Sequence, residues 1–364
     1  MVEASPFLGI GLHAVGGFFA ATCYTPQKGV RKWSWQTYWL AQASCCWLLL
    51  PIVGAVLTIP ELGAVLREAP GEAMRNCFLL GAAYGIGGTA FGVAIRHIGF
   101  SLTYAVAVGL SSVLGTFVPP IVRSLFPGKG DTLGDILSKT GSGWVLAGVA
   151  VGTVGIALCG LAGRLKEVDL RDRQGGPAEF NLAKGLVLSA LAGFLSAVYG
   201  FALEAGEAIA KAAARHGAGV YAGNVVYIFS NTGAYLTTAA YCVWLGLRNR
   251  SFGEFAGKAA GGAPGRAPLL PNYLLAAVTG LFWYGQFFFY NLGHVRMGAF
   301  RFSSWAIHMI LLVLLSSLVG VAFREWRDCR PRTRAAIATA LLVLVAAVLL
   351  LTYGNHLGGR AEAA

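Results

Sequence analysis

One face of a strongly apolar segment carries four side chains that form hydrogen bonds or offer aromatic rings. The segment WYGQFFFYNLGH, residues 283–294, is apolar enough to lie in a lipid bilayer. At about 100° per residue on a helix, steps of three, four and four bring together Trp283, Gln286, Tyr290 and His294. Glutamine both donates and accepts hydrogen bonds, tyrosine and histidine can do either, and tryptophan offers an apolar ring face. These groups suit the binding of a neutral polyol.

A second group of residues could carry a proton. Ionisable side chains inside apolar spans cost free energy and are functional candidates for that reason; they are His13, Glu204 and His308. Histidine titrates at about pH 6.5 in water, which suits it to exchange a proton during a transport cycle. The predicted helix directions put His13 and His308 in the outer half of the membrane. Gln286 falls near the middle and Tyr290 above it, so polar groups from three helices are expected to meet.

Each proton candidate also has a purely structural alternative. His13 and His308 could form hydrogen bonds between helices and do nothing more. Glu204 could lie at the water boundary, close to Glu207 and Lys211, as part of a solvated helix end. Residue types alone do not rank the three, so all remain candidates for proton coupling.

The composition indicates a membrane protein. Of 364 residues, 56% are hydrophobic and 12% are charged, with a mean hydropathy of +0.63, which lies outside the soluble globular range. Stretches of about 20 apolar residues recur, each long enough to cross a bilayer. We predict an all-α polytopic protein with ten transmembrane helices at about 7–24, 36–58, 77–95, 101–122, 143–163, 184–204, 222–246, 272–294, 302–322 and 335–353. The seven cysteines have neither disulfide nor metal spacing, so no metal and no cofactor beyond a coupling proton is expected.

Lysine and arginine set the predicted orientation. Most of these 28 residues fall in one alternating set of loops, at 25–35, 96–100, 164–184, 247–271 and 323–334. Because basic loops stay in the cytoplasm, both termini are predicted to be periplasmic. The net charge of +12 then reflects the cytoplasmic membrane surface, and no nucleic-acid partner is expected. The Gly/Ala/Pro-rich stretch 249–271 is predicted to be a flexible linker.

The chain divides into two similar halves around a charged central segment. Five predicted spans precede this segment and five follow it, and Tyr84-Gly85 of the first half corresponds to Tyr284-Gly285 of the second. An odd number of spans in each half inverts one half relative to the other. We therefore predict a single transporter domain over 1–364, built from two inverted five-helix repeats, with repeat one at about 7–163, a cytoplasmic linker at 164–183 and repeat two at about 184–355.

Several stretches carry a resemblance to a known family. They are CYTPQKGVRKWSW (23–35), GAAYGIGG (81–88), EFNLAKGLVLS (179–189), and FWYGQFFFYNLGH with SSWAIHM and REW (282–326). In colinear order across both halves, they resemble the L-rhamnose–proton symporters of the drug/metabolite transporter superfamily. The resemblance implies a ten-helix inverted-repeat fold in the bacterial inner membrane and import of L-rhamnose with a proton. The positions that match the family pattern are His13, Trp33, Trp35, Gln286, Tyr290, His294, Trp305 and His308.

Two departures from that pattern bear on the substrate. Gly88 and Thr89 stand where the pattern continues with an asparagine, and Glu204 and Glu207 stand where it has neutral or basic residues. Either departure could change the sugar that is bound or its coupling, and both weaken the inference of rhamnose as substrate more than the inference of the fold.

The resulting hypothesis is a proton-coupled sugar importer that works by alternating access between two five-helix halves. Its sugar contacts are predicted to be Gln286, Tyr290 and Trp305, together with Trp283 and His294. One alternative is a drug/metabolite-type transporter or exporter of another small metabolite. A more distant one is an integral-membrane enzyme, although no catalytic set of residues is evident. The oligomeric state is left open.

Overall fold

All regular secondary structure in the described part of the chain is helical. The computed structural model describes residues 5–125, 131–174 and 181–363, and within these ranges there is no β-strand. Helices are the expected solution in a bilayer, since a helix satisfies its backbone hydrogen bonds within itself.

The helices follow one another with short connections. In the first part of the chain they are α1 (Pro6–Thr22), α2 (Trp35–Ala43), α3 (Leu50–Thr58), α4 (Leu62–Glu68), α5 (Gly71–Ile98), α6 (Phe100–Leu125), α7 (Leu133–Ser138) and α8 (Ser142–Gln174). In the second part they are α9 (Leu182–Ala205), α10 (Glu207–Arg215), α11 (Val226–Arg248), α12 (Leu269–His294), α13 (Ser304–Ala322) and α14 (Pro331–Ala363).

Within the described residues, eight segments are long and apolar enough to cross a membrane. They are Pro6–Gly29, Trp35–Thr58, Gly71–Ile98, Leu102–Leu125, Ser142–Leu170, Leu182–Arg215, Phe300–Ala322 and Pro331–Ala361. The protein is therefore a multi-pass helical membrane protein. The two remaining predicted spans, 222–246 and 272–294, coincide with the long helices α11 and α12, which contain more polar residues.

One span contains a local irregularity with an identifiable cause. A π-helical turn, Ser44–Leu49, joins α2 to α3. Pro51 lacks a backbone N–H, which removes one helical hydrogen bond just beyond the turn, and the Ser44 hydroxyl donates to the Leu40 carbonyl oxygen at 2.8 Å.

Two connections differ from what the sequence led us to expect. Helix α8 extends to Gln174, so residues 164–174 of the predicted linker 164–183 are helical, while 175–180 lie outside the described residues. The stretch 249–271 is not a flexible linker: it forms 3₁₀ turns at Phe252–Ala256 and Ala260–Gly262. Glu254 in the first of these turns is buried, and its carboxylate accepts hydrogen bonds from the Ser34 N–H and hydroxyl. A buried carboxylate with such partners fixes this loop.

The chain forms two compact units. Unit 1 comprises Met1–Ala21, Ala90–Phe201 and Phe289–Ala364, and unit 2 comprises Thr22–Thr89 and Ala202–Phe288. Each unit draws on both predicted sequence halves, so the compact units do not coincide with the predicted repeats.

Small residues bring helices close together within each unit. In unit 2 a side chain at Gly81 would overlap the Ser230 carbonyl, and one at Gly233 would overlap the Phe78 carbonyl. The Thr237 hydroxyl also donates to the Ala82 carbonyl oxygen at 3.0 Å, which ties α11 to α5. In unit 1, Gly148 of α8 lies directly against Leu351 of α14. This is the close packing that small-residue steps allow in membranes.

Candidate functional site

Three buried rings from three helices meet in unit 1. His13 of α1, Tyr290 of α12 and His308 of α13 are 0%, 7% and 1% exposed. The ring centroids are 5.2 Å apart for His13 and Tyr290, 5.8 Å for His13 and His308, and 5.4 Å for Tyr290 and His308. We call these three residues the histidine cluster.

Glycines allow α1 to approach the other two helices of the cluster. A side chain at Gly293 of α12 would lie 2.8 Å from the Gly9 carbonyl oxygen and 3.1 Å from the His13 ring. A side chain at Gly17 would lie 3.1 Å from the Leu312 backbone nitrogen of α13. At both positions a methyl group would be too close to its neighbours, so glycine is what allows α1 to pack against α12 and α13. This packing places His13 against both helices.

Two predicted sugar contacts flank the histidine cluster. The His294 ring stacks on Tyr290 at 5.7 Å, and the Trp305 ring meets the edge of Tyr290 at 5.5 Å. The Trp305 indole N–H donates to the Ser111 carbonyl oxygen at 3.0 Å and lies 3.2 Å from its hydroxyl. The hydrogen-bond donor of Trp305 is therefore already occupied within the protein.

The imidazoles of this region have hydrogen-bonding capacity to spare. In the described part of the chain, both ring nitrogens of His13 and the Nδ1 atoms of His294 and His308 are buried without a hydrogen-bond partner. Buried polar atoms are nearly always paired in proteins, so unpaired ones call for a partner such as water, a proton or a ligand.

Trp283 and Gln286, the other two residues of the predicted binding face of α12, belong to unit 2. Gln286, one turn before Tyr290, is 5% exposed. The Trp283 ring contacts Tyr24 at 6.1 Å and Trp47 at 5.8 Å. The predicted face of α12 thus contributes Tyr290 and His294 to unit 1, and Trp283 and Gln286 to unit 2.

Sequence reasoning missed the aromatic residues around Trp283. Tyr24 stacks on Trp39 at 6.1 Å, and Trp47 contacts Tyr84 at 6.1 Å. The signal was present in the sequence, since Trp35 and Trp39 are four residues apart in α2 and their rings stack at 5.0 Å.

Glu204 belongs to unit 2, whereas the histidine cluster belongs to unit 1. Glu204 is half-buried near the end of α9. The neighbouring Glu207 forms an exposed ion pair with Lys211, with 3.0 Å between Oε1 and Nζ.

Trp33, which matches the family pattern, forms a hydrogen bond to a loop. Its indole N–H donates to the Glu254 carbonyl oxygen at 3.0 Å.

The departure at 88–89 alters the surroundings of a buried ring. A side chain at Gly88 would lie 3.2 Å from Cη2 of Trp47, so glycine lets the backbone of α5 approach that edge of the indole. The Thr89 hydroxyl donates within its own helix to the Gly85 carbonyl oxygen at 3.0 Å.

The fold and these buried rings define a polytopic helical membrane protein with ionisable groups inside the membrane. The sequence profile of the L-rhamnose-proton symport protein family matches residues 2–356, and the chain belongs to this family. The family consists of transporters, not enzymes, which removes the membrane-enzyme alternative.

Relatives match over nearly their whole length. The chain is 34% identical to the L-rhamnose-proton symporter of Cronobacter sakazakii over 351 residues, covering 95% of this chain and 97% of the relative. It is 33% identical to the L-rhamnose-proton symporter of Mannheimia succiniciproducens over 353 residues, covering 96% and 98%. The symporter of Salmonella paratyphi B is 33% identical over 350 residues, covering 95% and 97%.

Proposed function

We propose that this protein imports L-rhamnose, or a closely related sugar, together with a proton. Family membership and the names of the relatives support the substrate and the coupling. The observation that carries the proposal is the histidine cluster, in which buried imidazoles with unpaired nitrogens lie against a tyrosine.

The chemistry of imidazole offers a means of coupling. A neutral imidazole has one donor and one acceptor, whereas a protonated one has two donors. Protonation of His13 or His308 therefore changes which sugar oxygens the cluster can bind. A buried charge is costly unless it finds acceptors, and sugar hydroxyls supply them. Proton and sugar then favour each other's binding, as symport requires.

Sugar recognition is proposed for the α12 face and its neighbours. Tyr290 contributes its hydroxyl, and His294 contributes a ring nitrogen. Trp305 contributes an apolar ring face for the C–H side of the sugar, because its N–H is held by Ser111. Gln286 and Trp283, earlier on the same helix, are proposed contacts on the strength of helical spacing and residue type.

We further propose ten transmembrane helices in two inverted repeats, with both termini in the periplasm of a bacterial inner membrane. Contacts within unit 2 support α11 as a crossing. Ser34 bonds to Glu254, so these two loops share one side of the membrane. That requires an even number of crossings between them. Five of the eight apolar segments lie between them, and α11 is the sixth crossing.

A contact in unit 1 extends the same count to α12. The Ser5 N–H donates to the Arg296 carbonyl oxygen at 3.0 Å, so the N-terminus and the loop after α12 lie on one side. Six apolar segments and α11 precede α12, and α12 must be the eighth crossing to keep the number even. Ten crossings in total support five per repeat, and an odd number in each repeat inverts one repeat relative to the other.

Replacement of single histidines tests the coupling. In proteoliposomes, His13→Asn and His308→Asn are expected to retain exchange of labelled L-rhamnose across the membrane but to lose accumulation driven by an imposed pH gradient. Glu204→Gln is tested in parallel as the third proton candidate. His356→Asn serves as a matched control, since His356 is on α14 and its ring contacts Phe7. Full gradient-driven accumulation by both cluster variants would overturn the assignment of the proton to the histidine cluster.

A further inference from the structure

Unit 2 contains a second concentration of buried donors. We call Trp39, Trp47, Trp283 and Gln42 the donor cluster. Trp39, Trp47 and Gln42 are almost fully buried, at 2%, 1% and 1% exposed. The three rings form a connected set through Tyr24, with Tyr24 to Trp39 and Tyr24 to Trp283 both 6.1 Å and Trp47 to Trp283 5.8 Å.

The hydrogen-bond donors of this cluster have no acceptor. In the part of the chain that the structure describes, the three indole Nε1 atoms and the Gln42 Nε2 atom are buried without a partner. The indoles of Trp33 and Trp305, by contrast, donate to carbonyl oxygens. A buried donor without an acceptor costs about 1–3 kcal/mol, so four such donors within unit 2, three of them on connected rings, are a large cost for packing alone.

The chemistry of the cluster selects its ligand. An indole N–H only donates, and so does the Gln42 amide nitrogen, so the missing partner must supply acceptor oxygens. The aromatic faces require apolar C–H surface beside those oxygens. None of the four side chains carries a charge, so the ligand need not be ionic. A sugar, above all a deoxysugar with a methyl group, combines these properties.

We propose that Trp39, Trp47, Trp283 and Gln42 form a sugar subsite that holds hydroxyl oxygens through indole and amide N–H groups. The proposal rests on the proposed function, because its ligand is the transported sugar. Trp39 is four residues into α2, about 6 Å along the helix from the loop at 25–34, which is predicted to be cytoplasmic. Trp47 lies about 12 Å further along the same span. The subsite therefore extends from near the proposed cytoplasmic end of the span toward its middle, on the release side.

Removal of single donors tests the subsite. Trp39→Phe, Trp47→Phe and Gln42→Met keep an apolar side chain and remove the N–H. Each is expected to weaken equilibrium binding of L-rhamnose to purified protein by about fivefold, the effect of one hydrogen bond. Trp144→Phe is the matched control, because Trp144 is 47% exposed on α8 and its ring contacts only Tyr353 among the described rings. Gln42→Met carries the test where an indole variant does not fold.

Deoxygenated sugars separate recognition from a structural effect. If the donors hold hydroxyls, some analogue of L-rhamnose that lacks one hydroxyl will bind the wild type weakly. The donor variant that lacks the matching N–H group will bind this analogue and L-rhamnose with equal affinity. Variants that bind L-rhamnose within twofold of a wild type that transports it would overturn the subsite and leave the proposed function intact. A wild type that neither binds nor transports L-rhamnose would overturn both.

Discussion

The Tyr290 ring contacts four of the proposed site residues of unit 1. They are His13, His294, Trp305 and His308, all with centroids within 5.7 Å. A hydroxyl so placed can bond to a sugar and respond to the protonation of a neighbouring imidazole.

Replacement of this hydroxyl should affect affinity with little effect on folding. Tyr290→Phe is expected to raise the KM for L-rhamnose about fivefold, since about 1 kcal/mol of hydrogen bonding is lost while the ring contacts remain. The measurement is initial uptake rate against sugar concentration. Tyr353→Phe, on an exposed ring of α14, is the control. An unchanged KM for Tyr290→Phe would exclude its hydroxyl from sugar binding.

At the residue level, the sequence predicted which polar residues lie close together better than it predicted the hydrogen bonds that they form. Helical spacing and span depth pointed to His13, Tyr290 and His308, which the structure brings into contact. The sequence could not reveal that the Trp305 N–H is held by Ser111, nearly two hundred positions away. Nor did it reveal the donor cluster, because the missing acceptors of Trp39 and Trp47 depend on tertiary packing.

At the level of elements, helix contacts depend on glycines whose neighbours differ sharply. Gly81 of α5 packs on the backbone of α11, while Gly11 of α1 has nothing near the position of a side chain. Gly81 and Gly85 form a step of two small residues four positions apart, and both lie against α11. Gly88, in the next such step, faces the side chain of Trp47 instead of a helix backbone.

This difference predicts unequal effects of the same substitution. Gly81→Ala should lower stability by about 1–3 kcal/mol, because its methyl group would overlap the Ser230 carbonyl. Gly11→Ala should leave stability unchanged or slightly raised, since alanine is the better helix former. Melting temperatures of both variants in detergent provide the comparison. Equal temperatures would mean that α5 and α11 are not packed as described.

A charged cluster links α4 and α10 in unit 2. The two ring nitrogens of His216 lie 2.9 Å from carboxylate oxygens of Glu61 and Glu68, and Arg215 also bonds to Glu68. Glu68 and, to a lesser extent, Glu61 raise the pKa of His216, and the hydrogen bonds of Arg215 and His216 lower the pKa of Glu68. With both nitrogens donating, the imidazolium is the form that fits.

The raised pKa gives a stability that depends on pH. A folded pKa above the unfolded one means that His216 stabilises the fold fully below its ordinary pKa of about 6.5, and the effect is lost as pH rises through the folded pKa. The melting temperature of the wild type should therefore decline across that interval. His216→Asn should flatten the decline, while Glu207→Gln, which removes an exposed ion pair, should preserve it. The same slope in His216→Asn and the wild type would refute the link.

For the whole molecule, composition predicted the helical membrane class, because the hydropathy of a span reflects the bilayer directly. The motifs predicted the family. The sequence did not predict two compact units that each mix both halves, since packing between distant helices leaves no periodic signal. The fixed loop at 249–271 was missed for a similar reason: its glycines and alanines look flexible, but Glu254 is held by Ser34.

The proposed topology can be tested with reporter fusions. Alkaline phosphatase, active only in the periplasm, should be active when fused after Ala364 and inactive when inserted at Gly262, in the loop between α11 and α12. Green fluorescent protein at the same two places should give the opposite pattern. Phosphatase activity at Gly262 would contradict the proposed orientation and the positive-inside assignment of that loop.

The central claim is that sugar and proton move together. The most direct measurement uses purified wild-type protein in proteoliposomes suspended in weakly buffered medium, with external pH recorded as L-rhamnose is added. Symport predicts alkalinisation of the medium in proportion to labelled rhamnose taken up, with both signals absent from protein-free vesicles. Uptake of rhamnose without any change of pH, or no uptake by correctly inserted protein, would contradict it.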